Sequence, residues 1–400
     1  MNPRVLLFLC SLCVLGGESC FPGSNAVKAD EFDRSKLAVI DDLAAAALKR
    51  GDCPGAVVVV IHADEVVFRK AYGLQAIKPE PTPMTPDTVF DLASLTKPIA
   101  TATSVMLLIE QGKLSPDDLV SKHWPAFAAN GKDKVTIAHL LLHTSGLTAD
   151  NAISDYADGK AKALERIAGL KLEAPPGMRF KYSDVGFIVL AEVVEKISGM
   201  PVDAFAKKHV FDPLKMTDTT FLPGEALKKR IAPTGLRDSK IILGEVHDPR
   251  SFKLGGVAGH AGLFASADDI ARYCRMLLRG GELDGTRILD EKTVKLFTEP
   301  HPIPGPGGKD GVPSKLARSS GWDVNTSYSA QRGELFTRGE GFGHTGFTGT
   351  SIWVDPGTKT VVIILTNRVH PDDKGNVTQL RREIGTAVAR AVGVKGSKKE

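Results

Sequence analysis

Two β-rich segments stand at opposite ends of this 400-residue chain, with a long stretch of helical periodicity between them. Residues 55–61 form a β-branched run, and residues 66–72 return after an Ala63-Asp64-Glu65 turn. Near the other end, residues 350–354 and 360–366 flank an Asp355-Pro356-Gly357 turn. Such runs, closed by turn residues, read as paired strands. Residues 37–49, stopped by Gly51, and residues 377–392 read as terminal helices. Apolar positions at helical spacing dominate 87–236. Like segments at both ends predict one sheet built from both, with a helical region inserted. The expected class is α+β: a mostly antiparallel sheet flanked by terminal helices, plus a helical subdomain. We expect a single domain over 30–395, with an α/β part about 33–86 and 237–395 and a helical part about 87–236. Hydrophobic residues at 42% supply its core.

The first residues have the pattern of an export signal. Arg4 precedes an apolar run at 5–15 that is short for a bilayer span, and Ala26 and Ala29 offer cleavage points. Residues 1–29 are therefore expected to be a signal peptide, and the chain to be periplasmic or secreted. Lipid attachment at Cys20 is disfavoured by the Gly17-Glu18-Ser19 approach. No later segment reads as a membrane helix. After cleavage only Cys53 and Cys274 remain, which can pair or serve as two small buried side chains; the second is the expectation. A net charge of +4 is too weak to argue for nucleic acid, and Lys395, Lys398 and Lys399 read as a solvated tail. The expected partner is a small-molecule or peptide substrate.

Ser94-Leu95-Thr96-Lys97 occurs at the start of a helical stretch in which Pro98 falls in the first turn. Residues three apart share a helix face, so Lys97 can reach the Ser94 hydroxyl. A serine is a poor nucleophile until a base takes its proton, and lysine is such a base only when its pKa is depressed. The same letters also describe a helix cap with a solvent-facing lysine. Tyr182-Ser183-Asp184 follows a Pro-Pro-Gly loop, where a tyrosine can shuttle a proton and Asp184 can equally be a cap. His344-Thr345-Gly346 lies among glycines and leads into a strand, so a substrate backbone can approach closely. The Phe347 amide could then face that of Ser94 in an oxyanion hole. The bland alternative is a tight turn with an exposed histidine.

In order and rough spacing, these three motifs resemble the penicillin-recognising serine hydrolases. The branch most similar holds class C β-lactamases, related esterases, D-amino-acid peptidases and muramyl-peptide amidases. Residues 140–147 (Leu-Leu-Leu-His-Thr-Ser-Gly-Leu) and 259–264 (Gly-His-Ala-Gly-Leu-Phe) resemble segments of that branch, and the resemblance runs from about Asp33 to Val392. It implies that Ser94 is acylated, that Lys97 and Tyr182 share the acid–base work, and that His344, Thr345 and Gly346 line the substrate strand. It implies no metal and no organic cofactor. Asp184 takes the place of an asparagine that hydrogen-bonds the substrate amide.

Two departures bear on specificity. His344 stands where the family usually has lysine, and a histidine of ordinary pKa is mostly neutral at pH 7. Asp184 adds a negative charge. Both weaken the case for a β-lactamase or carboxypeptidase and suit an ester, an amine-bearing peptide or a sugar-linked lactyl amide. Rival signatures are absent: there is no Gly-x-Ser-x-Gly, no His-Glu-x-x-His and no phosphate-binding loop. His139 and His143 stand four apart, but a packing role is the expectation, and His247, Asp248 and His260 read mainly as structural. The sequence thus points to an exported serine hydrolase on peptidoglycan-derived amides, with a short-chain carboxylesterase of weak β-lactamase activity and a slowly deacylating penicillin-binding sensor as alternatives.

Overall fold

The computed structural model describes residues 32–305 and 315–395; the expected signal peptide and Cys20 lie outside them. A nine-stranded sheet organises the chain. Its strands are β1 (Gly55–His62), β2 (Glu65–Ala76), β3 (Thr82–Pro83), β4 (His301–Pro302), β5 (Ala317–Arg318), β6 (Asp323–Asn325), β7 (Phe342–Thr345), β8 (Ser351–Asp355) and β9 (Thr360–Thr366). Their order across the sheet is β4-β5-β6-β7-β8-β9-β1-β2-β3, all pairs antiparallel. The two chain ends meet at the centre, where β1 pairs with β9 from Ala56↔Thr366 to His62↔Thr360.

Strand alternation divides the core in two. Val57, Val59 and Ile61 of β1 face one cluster, with Leu95, Ile99 and Val105 of the helical region. Val58 and Val60 face the other, with Ile40 of helix α1 (Val39–Arg50) and Ile384 and Val388 of the C-terminal helix Thr378–Ala391. A strand buried on both faces reads as a continuous apolar run, which is why 55–61 stands out in the sequence. The terminal helices pack against one another on the outer face. The helical region covers the inner face.

Helix α2 (Thr103–Glu110) is preceded by a π turn, Lys97–Ala102, where the sequence suggests plain α-helix. Pro98 brings no N–H to this turn, and its carbonyl accepts from Thr103 Oγ1 at 2.9 Å. Strands β4 to β6 were not legible either, and β7 only as the substrate strand that the resemblance implies; residues 301–309 read as a loop from their prolines and glycines. These strands are two to four residues long, so neighbours rather than propensity decide them. Gly343 shows the demand: a Cβ there would lie 2.2 Å from the Ile352 carbonyl oxygen on β8. Among the described residues no helix is long and apolar enough to cross a membrane.

Candidate active site

Ser94 sits in a one-turn 3-10 segment, Ala93–Leu95, just before the π turn. The turn is unusual: Ala93 has φ +47°, a left-handed conformation that a residue with a Cβ rarely adopts. Asp91 holds it, accepting from the Ala93 N–H at 2.8 Å and from the His247 N–H at 2.6 Å. The carbonyls of Asp91 and Leu92 accept from Thr348 and Thr350 hydroxyls at 2.7 and 3.0 Å. The residues preceding Ser94 are thus laced to the turn that follows β7. Gly346 is required at that join, since a Cβ would meet Thr350 Oγ1 at 2.2 Å and the Leu92 carbonyl at 2.5 Å.

Lys97 is fully buried. Its Nζ donates to Ser94 Oγ at 3.1 Å and to the His260 carbonyl at 3.1 Å, and lies 2.5 Å from Asp184 Oδ1. Burial by itself would lower its pKa, but the Asp184 carboxylate, then Tyr182, outweigh burial and hold the lysine charged. The free-base lysine considered from the sequence is therefore not the resting state. Asp184 likewise does something the motif did not suggest: it faces Lys97 as a counter-ion.

Asp184 opens helix α3 (Asp184–Ser198), capped by Ser183, whose Oγ accepts from the Gly186 N–H at 3.1 Å. His143 explains its motif. Its Nδ1 accepts from the Ser183 N–H at 3.0 Å, and its ring lies 4.4 Å from that of Tyr182. Burial, reinforced by the charges of Arg318 and Lys97, pushes the His143 pKa well below the usual imidazole value. His139, by contrast, belongs to a capping box with Thr136, so the two histidines do not form a metal pair. Tyr182 has a buried Oη without a hydrogen-bond partner. Burial raises its pKa and the Lys97 charge opposes the rise.

His344 is buried, and its Nδ1 donates to the Thr345 carbonyl at 2.9 Å. Burial, then Arg318 and Lys97, push its pKa well below the usual value, so it is neutral at pH 7. The adjoining backbone is fixed by arginines: Arg368 Nε donates to the Phe347 carbonyl at 2.7 Å, and Arg381 Nη2 to that of Gly346 at 3.1 Å. His247 stacks on Phe347 with ring centroids 5.7 Å apart.

These parts converge on a cleft of about 270 Å³. Of the residues singled out from sequence, Ser94, Tyr182, His344, Thr345, Gly346 and Phe347 line it; Lys97 and Asp184 lie beneath. Arg318, Asp323, Tyr328, Arg368 and Arg381 also line it, and no motif marked them. His260 and Asp248 form a supporting layer: His260 Nε2 is 2.9 Å from Asp248 Oδ1, while the His260 carbonyl binds Lys97. Asp184, Asp248 and His260 converge closely enough to hold a metal ion. The Lys97 ammonium already supplies the cation there, and its charge, after that of His260, helps to hold the Asp248 carboxyl below the usual range despite burial.

Comparison with known proteins agrees with this architecture. The family profile described as "Beta-lactamase" matches residues 40–386. A protein of Escherichia coli (strain K12) named "Putative D-alanyl-D-alanine carboxypeptidase" is 33% identical over 356 residues, covering 79% of each chain. The "N-acetylmuramyl-L-alanine amidase" of Bacillus subtilis (strain 168) is 31% identical over 390 residues, covering 87% of this chain and 85% of that protein. Among solved structures, "EstCE1, a hydrolase with promiscuous acyltransferase activity" superposes with a TM-score of 0.71 at 25% identity, covering 89% of this chain and 99% of that one.

Proposed function

The chain belongs to the β-lactamase family, and from that premise we propose that it is an exported serine hydrolase acting through an acyl-enzyme on Ser94, with peptidoglycan-derived peptide amides as its substrates. One observation carries the reading: Ser94 Oγ accepts from the buried Lys97 ammonium at 3.1 Å inside a cleft edged by β7.

The proposed chemistry follows from the charges. The Lys97 cation, fixed by Asp184, lowers the cost of removing protons from Ser94 and Tyr182. Tyr182 acts in its phenolate form, reached by losing its proton to solvent beside the Lys97 cation; it takes the Ser94 proton as Oγ attacks the carbonyl and returns that proton to the leaving amine or alcohol. The N–H groups of Ser94 and Phe347 receive the oxyanion. Water then repeats the sequence on the acyl-enzyme, releasing the acid and freeing Ser94. The neutral His344 offers hydrogen bonding in place of a fixed cation. The amidase name of the Bacillus subtilis relative supports the substrate class. The likeness to EstCE1, named a hydrolase with acyltransferase activity, supports acyl transfer through Ser94; a short-chain carboxylesterase is the second reading and a slowly deacylating sensor the third.

Turnover on a muramyl-peptide amide, a short p-nitrophenyl ester and a chromogenic cephalosporin, with Ser94→Ala as control, separates the three. Fastest cleavage of the amide supports the amidase. Ester cleavage alone supports the esterase, and a lasting acyl adduct without turnover the sensor. Hydrolysis retained in Ser94→Ala sinks the mechanism.

A further inference from the structure

His143 is buried, and its contacts converge on one short segment. Its carbonyl accepts from the Lys181 N–H at 2.9 Å, and its Nδ1 accepts from the Ser183 N–H at 3.0 Å. The residue between those two is Tyr182, whose ring lies 4.4 Å from the imidazole at an interplanar angle of 31°. A single residue therefore grips the backbone on both sides of Tyr182 and packs on its ring as well. Phe187 on α3 backs the imidazole in turn, with ring centroids 5.1 Å apart.

The backbone at His143 is one that histidine disfavours. It follows Leu142, the C-cap of the short helix Ile137–Leu141, and has φ +57°. Helices commonly end in this left-handed conformation, but on glycine or asparagine, which adopt it at lower cost. A turn alone would be served better by either, and strain of this kind gathers where a side chain has a task. The task is visible at Tyr182. Its Oη is buried without a hydrogen-bond partner among the described residues, so no bond to the hydroxyl aims it. The backbone on either side and the groups packed on the ring set its direction, and His143 contributes to both. The acceptor at Nδ1 exists only in the neutral imidazole, with the ring proton on Nε2. Burial, reinforced by the Arg318 and Lys97 charges, keeps the ring in that form.

We propose that His143 is a positioning residue for Tyr182: it holds the phenol oxygen toward Ser94, so that the Ser94 proton meets a fixed acceptor as Oγ attacks. The proposal rests on the reading of Tyr182 as the proton carrier. His143 is not among the residues that line the cleft, so it acts through Tyr182 rather than on the substrate. Its loss should therefore appear in kcat and leave KM nearly unchanged. A packing role alone predicts the opposite pattern, a lower melting temperature with the turnover of the folded protein kept.

The test uses the full chain, well below the melting temperature of each variant, on whichever of the three substrates above turns over fastest; where an adduct accumulates instead, its rate of formation replaces kcat. His143→Gly and His143→Asn both accept the left-handed backbone, so comparing them isolates the side chain. His143→Gly should lower kcat by about ten- to hundred-fold, the scale on which a misplaced reacting group acts, with KM within about three-fold of native. His143→Asn sets Oδ1 where Nδ1 stood and should recover most of that loss. In a Tyr182→Phe background, His143→Gly should cost less than about two-fold more, because the group it positions is gone. Native kcat in folded His143→Gly, no recovery in His143→Asn, or an undiminished further loss in Tyr182→Phe overturns the proposal. Should His143→Gly not fold, His143→Leu, which fills the space without an acceptor, takes its place in both comparisons. Native turnover in Tyr182→Phe alone would strike the proton-carrier reading instead, and hydrolysis persisting in Ser94→Ala the acyl-enzyme reading, so the failures are distinguishable.

Discussion

Asp184 Oδ1 lies 2.5 Å from Lys97 Nζ, placing a carboxylate against the lysine that touches the candidate nucleophile. This contact raises the pKa of Lys97, and the same negative charge raises that of Tyr182. Asp184→Asn removes it, so both groups lose their protons more readily. Whichever of them must be deprotonated for acylation, the rising limb of kcat/KM against pH should move to lower pH. A profile from about pH 6 to 10 checks this. An unmoved limb, or one moved upward, would show that the ion pair does not govern the acid–base step.

Asp91 ties stability to pH. Burial, opposed by the His247 and Ala93 N–H donors, pushes its carboxyl up to about 6 from 3.8. A raised folded-state value means the native state binds the proton more tightly than the unfolded chain. The stabilisation is therefore complete below about 3.8 and is lost as pH rises through about 6. Asp91→Ala should cost roughly 2–4 kcal/mol by orphaning two buried N–H groups. The cost should be about 2–3 kcal/mol larger at pH 4 than at pH 7. Denaturant melts at the two pH values measure it; an equal cost at both contradicts the assignment.

Gly259 tests the packing beneath Lys97. Its carbonyl accepts from Thr101 Oγ1 at 2.7 Å, and a Cβ would lie 2.0 Å from the Phe187 carbonyl oxygen on α3. Backbone on both sides leaves little room to relax. Gly259→Ala should lower stability by about 1–3 kcal/mol or more and displace the His260 carbonyl from Lys97. A variant with native melting temperature and native turnover would count against this account of the loop.

Cys53 and Cys274 are unpaired and buried in different clusters, Cys53 with the terminal helices and Cys274 with the helical region. The sheet separates them, so the disulfide left open by sequence does not form. Burial pushes the Cys53 thiol up to about 12 and raises Cys274 as well. Thiol reagent at pH 8 should find both groups slow in the native protein and both reactive in denaturant. One fast native thiol would show that its cluster opens.

Local pattern was enough for several elements. The run at 55–61 became β1 (Gly55–His62), and 360–366 became β9 with the predicted ends. The apolar spacing at 267–278 likewise predicts a helix, and the structure forms it as Ala267–Leu278, where Ser266 caps it. Ser94, Lys97 and Tyr182 were legible because short motifs encode their spacing. Arg318 was not: it lies on a two-residue strand whose existence depends on pairing with β4 and β6.

The sequence by itself determined the α+β class, the joining of both chain ends in one sheet and the gathering of Lys97 and Tyr182 about Ser94. Hydrophobic periodicity and residue spacing act over one or two turns of chain, which is the range a single sequence displays. Only the tertiary structure decided the charge state of Lys97, the facing of Asp184 toward it and the place of Arg318 in the cleft. Those depend on burial and on partners brought from distant segments, and the free energy of a buried charge is set by what packs against it.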